Sequence, residues 1–323
     1  MANDAAEGSF PPAEGRRMQW HDLPARVRSE ISARLGSPVV EAHSQPGGFS
    51  PGLAVRIKTA RGARVFLKAV CASPNPDTPD IHRREARVAA ALPETAPAPR
   101  LQWSYDEDGW VVLAFDDVDG RTPELPWRRD ELEHVLDAVH ALADALTPSP
   151  VQLESAAERL APLFRGWRSL TADVVAQARL DPTFCEHLVQ LVELEERALD
   201  ATTGTSLVHL DIRADNILLT PDGVFFVDWP WAAIGTRWLD LMAMLPSVTM
   251  QGGPEPEALW DAHALSEGVE REDADAVVAA LAGFFTCASM QPDSPGLPTL
   301  RAFQAGQGAV ARRWISERLG WRR

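Results

Sequence analysis

Lysine is almost missing from this chain. Only Lys58 and Lys68 occur in 323 residues, so arginine carries nearly all of the positive charge. Cysteine is also scarce. Cys71, Cys185 and Cys287 are scattered and odd in number, which argues against a disulfide framework and for a reducing, cytoplasmic setting. No apolar run approaches the roughly 20 residues that span a bilayer, so no membrane association is expected. Residues 1–18 are mostly polar, contain Pro11-Pro12, and lack the cationic start and apolar centre of a signal peptide. They read as a flexible N-terminal extension. A basic excess is absent too: the formal net charge of −15 disfavours nucleic acid as a partner.

What is present is an ordinary globular composition, 45% apolar, long enough for one large or two modest domains. Acid concentrates between residues 246 and 300, where Glu255, Glu257, Asp261, Glu267, Glu270, Glu272, Asp273, Asp275 and Asp293 face Arg271 alone. Such a field favours a cationic substrate, or else marks a solvated helical surface.

The first third of the chain has the period of strands. Residues 38–44, 53–59 and 64–70 read as β-strands, and 101–105 with 110–115 as a hairpin. A helix over 21–36, capped by Asp22 and ended by Gly36, precedes them, and another over 80–92 interrupts them. After Phe115 the period becomes helical, with helices expected over 129–146, 153–163, 184–199, 236–245, 273–285 and 300–319. The division is residues 19–115, a β-rich unit, and residues 116–323, a mainly helical one; ligand clefts favour such junctions.

One helical-unit stretch breaks the pattern. In SLVHLDIRADNILLT (206–220) an apolar run leads into His209-Leu210-Asp211, and Asn216 follows five residues after that Asp. Pro221-Asp222-Gly223 supplies a turn, and the apolar run 224–227 ends in Asp228. Two carboxylates and a carboxamide on a loop and hairpin are what phosphoryl transfer requires. One carboxylate accepts the proton of an attacking hydroxyl, while the amide and the second carboxylate hold Mg²⁺ on nucleotide phosphates. Taken singly, Asp211 is a turn cap, Asn216 an Asx turn and Asp228 a strand-end cap. His209 is expected to bond backbone around the loop, and Asp240 to brace it. Arg213 reaches either a γ-phosphate or a neighbouring carboxylate.

Lys68 lies in an apolar strand and needs an anionic partner unless it reaches water at the strand end. Glu85, on the next helix, is a candidate partner or simply solvated. Gly47-Gly48-x-x-x-Gly52 can fold over phosphates or merely turn a hairpin.

With these residues in place, the chain resembles the aminoglycoside phosphotransferase and choline kinase-like family. The resemblance is carried by His209-x-Asp211-x-x-x-x-Asn216 and by Asp228-Trp229 followed by Gly235 and Asp240-Leu241. It implies an α+β, two-lobed protein-kinase-like fold, with a small β-rich N-lobe and a larger, mainly helical C-lobe. Asp211, Arg213 and Asn216 would be catalytic, and Asn216 and Asp228 would hold Mg²⁺. Gly47, Gly48, Ser50, Lys68, Glu85, Ala114, Phe115 and Asp116 would bind ATP or GTP, the last three at the hinge that reads the purine. Leu210 departs from the family, which often has Gly there; this should alter loop packing without removing chemistry.

The implied activity is nucleotide-dependent phosphorylation of a small-molecule hydroxyl, in a monomer or homodimer. The acceptor is either an antibiotic, such as an aminoglycoside or nucleoside-type compound, or a metabolite of choline, homoserine or ketosamine type. A nucleotide-binding pseudokinase with a regulatory role is the other reading. Trp229, Trp231, Trp238, Trp260, Phe284 and Phe285 are either acceptor-facing rings or core.

Overall fold

Alternating apolar residues early in the chain build one antiparallel sheet. Its strands are β1 (Val39–Ser44), β2 (Leu53–Thr59), β3 (Arg64–Cys71), β4 (Leu101–Glu107) and β5 (Trp110–Asp116), in the order β1-β2-β3-β5-β4. The computed structural model describes residues 17–45, 52–73, 76–294 and 296–321. Strand β5 is an interior strand, buried from Trp110 to Phe115, as its unbroken apolar run requires. Helix α1 (Ala25–Arg34) covers one face, setting Val27 and Ile31 against Val55, Ile57, Leu67 and Val112. Helix α2 (Thr78–Ala91) covers the other, where Ala89 joins Val70, Val111, Leu113 and Phe115.

Helix α1 starts later than the sequence suggests. Pro24 adopts an extended ψ of 142° and becomes the residue before the helix. Asp22 instead closes a preceding 3₁₀ turn, accepting from the Gln19 N–H at 2.8 Å.

The chain leaves the sheet at Asp117, whose carboxylate takes Arg56 at 2.6 Å and Arg64 at 2.7 Å. The helical part opens with α3 (Arg129–Ala145). The expected helix at 153–163 contracts to α4 (Ala156–Leu160), and three short helices follow: α5 (Gly166–Thr171), α6 (Val174–Gln177) and α7 (Pro182–Glu186). Then come α8 (Leu188–Ala201), α9 (Leu239–Met250), α10 (Pro256–Ala262), α11 (Arg271–Ser289) and α12 (Leu300–Arg318). Helix α11 is the hub: Ala274 through Ala282 are buried almost without interruption, which only small side chains allow against α8, α12 and α5.

Two small ribbons lie between this bundle and the sheet. Strand β6 (Ser206–Val208) pairs with β9 (Ala233–Gly235), and β7 (Ile217–Thr220) pairs with β8 (Gly223–Phe226). Gly223, at φ 141°, makes the β7–β8 turn, a backbone state open to glycine. The ribbons hold two loops, 209–216 and 227–232, under the sheet. The Phe226 N–H reaches the Pro97 carbonyl at 2.7 Å, fastening the lower ribbon to the upper lobe. The fold is α+β and two-lobed.

Candidate active site

The site begins with one residue on β3. Lys68 Nζ donates to Glu85 Oε1 at 2.6 Å and to Asp228 Oδ1 at 2.7 Å. Burial opposes the Lys68 charge, but Asp228 and Glu85 outweigh it and hold the pKa above its usual value. Burial likewise works to raise Asp228, yet Lys68 dominates and keeps that carboxylate ionised far below the ordinary range. The strand lysine thus joins sheet, α2 and the lower ribbon. His82, also on α2, is pushed down to about 4 by burial and by Lys68, and is neutral.

Loop 209–216 is held from below. Asp240, near the start of α9, accepts the His209 N–H at 2.8 Å and the Leu210 N–H at 2.7 Å. Burial lifts its carboxyl to about 6 against those two bonds. His209 is fully buried; its Nδ1 accepts the Asp211 N–H at 3.2 Å, which leaves Nε2–H to donate to the Val227 carbonyl at 3.0 Å. Burial holds this imidazole at about 4, so it ties the two loops together as a neutral group.

Leu210 has φ 64° and Asp228 φ 70°, left-handed states that a side chain disfavours. At Leu210 the loop keeps a backbone that glycine would adopt freely, while the leucine packs against the core. Leu210→Gly and Leu210→Ala both lose that packing, but only glycine sheds the strain. The glycine variant is expected to be the more stable by about 1 kcal/mol in denaturant melts, the reverse of the usual order. Alanine equal to or above glycine would contradict this account of the loop.

Asp211 projects from this loop. Its Oδ1 contacts Arg213 Nη1, and its Oδ2 accepts from Asn216 Nδ2 at 3.0 Å. Burial lifts the Asp211 carboxyl to about 7, aided by the Asp215 and Asp228 charges and opposed by Arg213 and Asn216. A carboxylate so placed and so tuned can take a proton near neutral pH. Arg213 also makes a two-point contact with Asp215, at 3.0 and 2.9 Å, and lies 5.7 Å from the Phe303 ring on α12.

The donor set fits a hard divalent cation. Asn216 spends Nδ2 on the Asp211 carbonyl at 2.8 Å and on its carboxylate, so Oδ1 has no hydrogen bond among the described residues. Asp228 spends Oδ1 on Lys68, and Oδ2 has none among them either. No trio of His, Cys, Asp or Glu side chains gathers as a metal cage among the described residues. One amide oxygen and one carboxylate oxygen suit Mg²⁺, which keeps waters and shares substrate phosphates.

Lys68, Glu85, Asp211, Arg213, Asn216 and Asp228 therefore come together. Ala114, Phe115 and Asp116 end β5, where Ala114 pairs with Leu67 one register step from Lys68, and the backbone outside the ladder begins at Asp117. Gly47, Gly48 and Ser50 lie outside the described residues. Gly52, next to them, is required: a Cβ there would stand 2.9 Å from the Ala69 carbonyl oxygen. Of the aromatic residues, Trp229, Trp238, Trp260 and Phe285 are core, and Trp231 is exposed beneath Arg159. Asp215 escaped the sequence reading, although Arg-x-Asp on a loop before the Asn is a visible signal.

A family profile described as "Phosphotransferase enzyme family" matches residues 46–277. The chain belongs to this family. Thiamine kinase of Salmonella heidelberg is 25% identical over 228 residues, 68% of this chain and 70% of that protein. Thiamine kinase of Salmonella gallinarum is 26% identical over 180 residues, 53% of this chain and 55% of the relative. Among solved structures, a choline/ethanolamine kinase family protein from Mesorhizobium loti superposes with TM-score 0.59 at 14% identity, covering 90% of this chain and 94% of that one. Aminoglycoside phosphotransferase APH(4)-Ia, solved with ADP and hygromycin B, superposes with TM-score 0.57 at 14% identity over 89% and 98%. These superpositions show the protein-kinase-like fold. This phosphotransferase is a small-molecule kinase with a hydroxyl acceptor. No helix among the described residues is long and apolar enough to cross a membrane.

Proposed function

We propose that this phosphotransferase moves the γ-phosphoryl group of ATP or GTP onto a hydroxyl of a small cationic molecule. The observation that carries the reading is the approach of Asp228 to Lys68 across the lobes, with Asp211 and Asn216 on the adjoining loop. In this reading residues 19–115 form the nucleotide lobe and 116–323 the acceptor lobe. Asp211 orients the acceptor hydroxyl and takes its proton. Arg213, steadied by Asp215, faces the transferring group. Lys68, steadied by Glu85, keeps Asp228 ionised and placed. Asn216 Oδ1 and Asp228 Oδ2 would hold Mg²⁺, whose bound charge offsets that of the phosphates.

A cationic acceptor follows from the balance of charge. Asp211, Asp215, Asp228 and Glu85 outnumber Lys68 and Arg213 in the site, and the chain carries −15 overall. The named substrates of similar proteins agree: thiamine carries a cationic ring, and hygromycin B is an aminoglycoside. The thiamine kinases favour a metabolite acceptor as a second reading beside an aminoglycoside.

A panel with γ-labelled ATP and GTP tests this directly, using hygromycin B, other aminoglycosides, thiamine, choline, homoserine, a fructosamine and a nucleoside. Transfer to at least one cationic alcohol is expected, slowed about a hundredfold or more in Asp211→Ala. Nucleotide binding without transfer or hydrolysis would support the pseudokinase reading instead.

A further inference from the structure

Asp228 presents its carboxylate from a left-handed backbone, φ 70°. Such a state lasts only where the surroundings hold it from both sides. On the amino side the holding is internal to the lower lobe. The Val227 N–H reaches the Asn216 carbonyl at 3.0 Å, and the Val227 carbonyl accepts from His209. On the carboxyl side it comes from the upper lobe, where α2 meets loop 227–232 with two consecutive residues. Glu85 accepts from the Trp229 N–H as well as from Lys68. Arg84, turned about 100° from it on the helix, donates Nη2 to the Ala232 carbonyl at 2.6 Å.

The same nitrogen lies 3.0 Å from Glu154 Oε1. Glu154 is itself pinned to β9, since its carbonyl accepts the Ile234 N–H at 3.0 Å and Ser155 bridges Ile234. Its carboxylate also takes Arg159 at 3.4 Å, and the Arg159 guanidinium lies 4.5 Å from the Trp231 ring centroid. Ala232, Arg84, Glu154, Arg159 and Trp231 thus close a circuit round the carboxyl half of the loop that carries Asp228. The circuit is poorly built for stability. One partly exposed carboxylate serves two guanidiniums, and the Nε atoms of Arg84 and Arg159 are buried without a partner among the described residues. Ion pairs with buried unmet donors stabilise a fold little or not at all. What this one supplies is position, because it ties the helix of Glu85 to a point four residues beyond Asp228.

We propose that Arg84 is a positioning residue for the metal site: through the Ala232 carbonyl and Glu154 it fixes loop 227–232 against α2, and so fixes where Asp228 Oδ2 stands beside Asn216 Oδ1. The proposal rests on the kinase reading given above. Lys68 sets the charge of Asp228 and grips its Oδ1, while Arg84 sets the path of the backbone that bears it.

Arg84→Met in the full chain tests this, because it keeps the apolar stem and removes the donors. Glu154 keeps Arg159 in that variant, so no carboxylate is stranded. The free Mg²⁺ needed for half-maximal AMP-PNP binding is expected to rise about tenfold, the lower end of what losing a partner behind a metal ligand costs. Metal-free AMP-PNP affinity and the thermal midpoint should be unchanged. Arg84→Lys, with a donor left for the Ala232 carbonyl, should recover part of the loss. Arg83→Met, which breaks exposed ion pairs to Asp80 and Asp106 on the same helix, should leave the Mg²⁺ requirement as it was. Without metal or nucleotide, the fluorine NMR signal of Trp231 in 5-fluorotryptophan-labelled chain, assigned by Trp231→Phe, should shift in Arg84→Met. An unchanged Mg²⁺ requirement or an unshifted Trp231 signal would overturn the proposal and leave the kinase reading standing. So would an equal loss of metal-free binding or a fall in the thermal midpoint, either of which would make Arg84 structural. If the unmodified chain shows no Mg²⁺-dependent AMP-PNP binding, the kinase reading itself falls, and the proposal with it.

Discussion

Asp211→Ala is expected to lower kcat by about 10²–10⁴-fold, the usual worth of a placed general base, while nucleotide affinity stays within about threefold. The split follows from position. Asp211 contacts Arg213 and Asn216 but not Lys68, so the lobe-bridging contacts survive its removal. The pH profile should carry the same signature. Burial holds this carboxyl at about 7, and a base works when ionised. kcat/KM should therefore rise as pH increases through about 7 and level off above it. A profile still flat down to pH 5, where an ordinary Asp would remain ionised, would contradict the burial argument. Unchanged turnover in Asp211→Ala would remove Asp211 from the chemistry.

Asp228→Ala should act on a different quantity. Loss of an outer-layer partner of a bound metal costs about 10–100-fold in affinity, so loss of a direct ligand should cost about a hundredfold or more. The expected result is a fall of that size in Mg²⁺-dependent AMP-PNP affinity, with weak metal-free binding much less changed. Lys68 keeps Glu85 at 2.6 Å after the change, so the buried ammonium is not stranded and the chain should stay folded. Metal-dependent affinity equal to that of the unmodified chain would mean that the cation binds elsewhere.

Much of this was legible in the sequence because it was local. The sheet strands showed their period, and loop 209–216 showed Asp211 and Asn216 five residues apart before a hairpin that ends in Asp228. Lys68 and Glu85 could be paired in advance because a charged pair on a buried strand and its covering helix has few other ways to be satisfied. The bracing role of Asp240 was legible for a similar reason: a carboxylate at the start of a buried helix needs donors, and the loop offers two.

Part of what escaped was local signal that the period alone does not carry, and part depended on packing that no window of sequence contains. Pro24 moved the start of α1, and Asp22 capped a turn instead. Helix α9 runs through Pro246 to Met250 because its surroundings are buried enough to outweigh one missing hydrogen bond. The segment from Ala156 to Glu186 breaks into short helices where Asp173 and Asp181 each cap a new start. Tryptophans that looked able to face a ligand became core, since large rings bury wherever a helical bundle gives them room. Met18 lay in a stretch read as a flexible extension, yet it bridges Leu53 at the edge of the sheet.

The most direct test is diffraction from crystals of the chain with Mn²⁺·AMP-PNP, collected for the anomalous signal of manganese. The account predicts a peak at coordination distance, about 2 Å, from Asn216 Oδ1 and an Asp228 carboxylate oxygen, with phosphate oxygens completing the shell. A manganese peak away from both side chains, with nucleotide bound between the lobes, would contradict it.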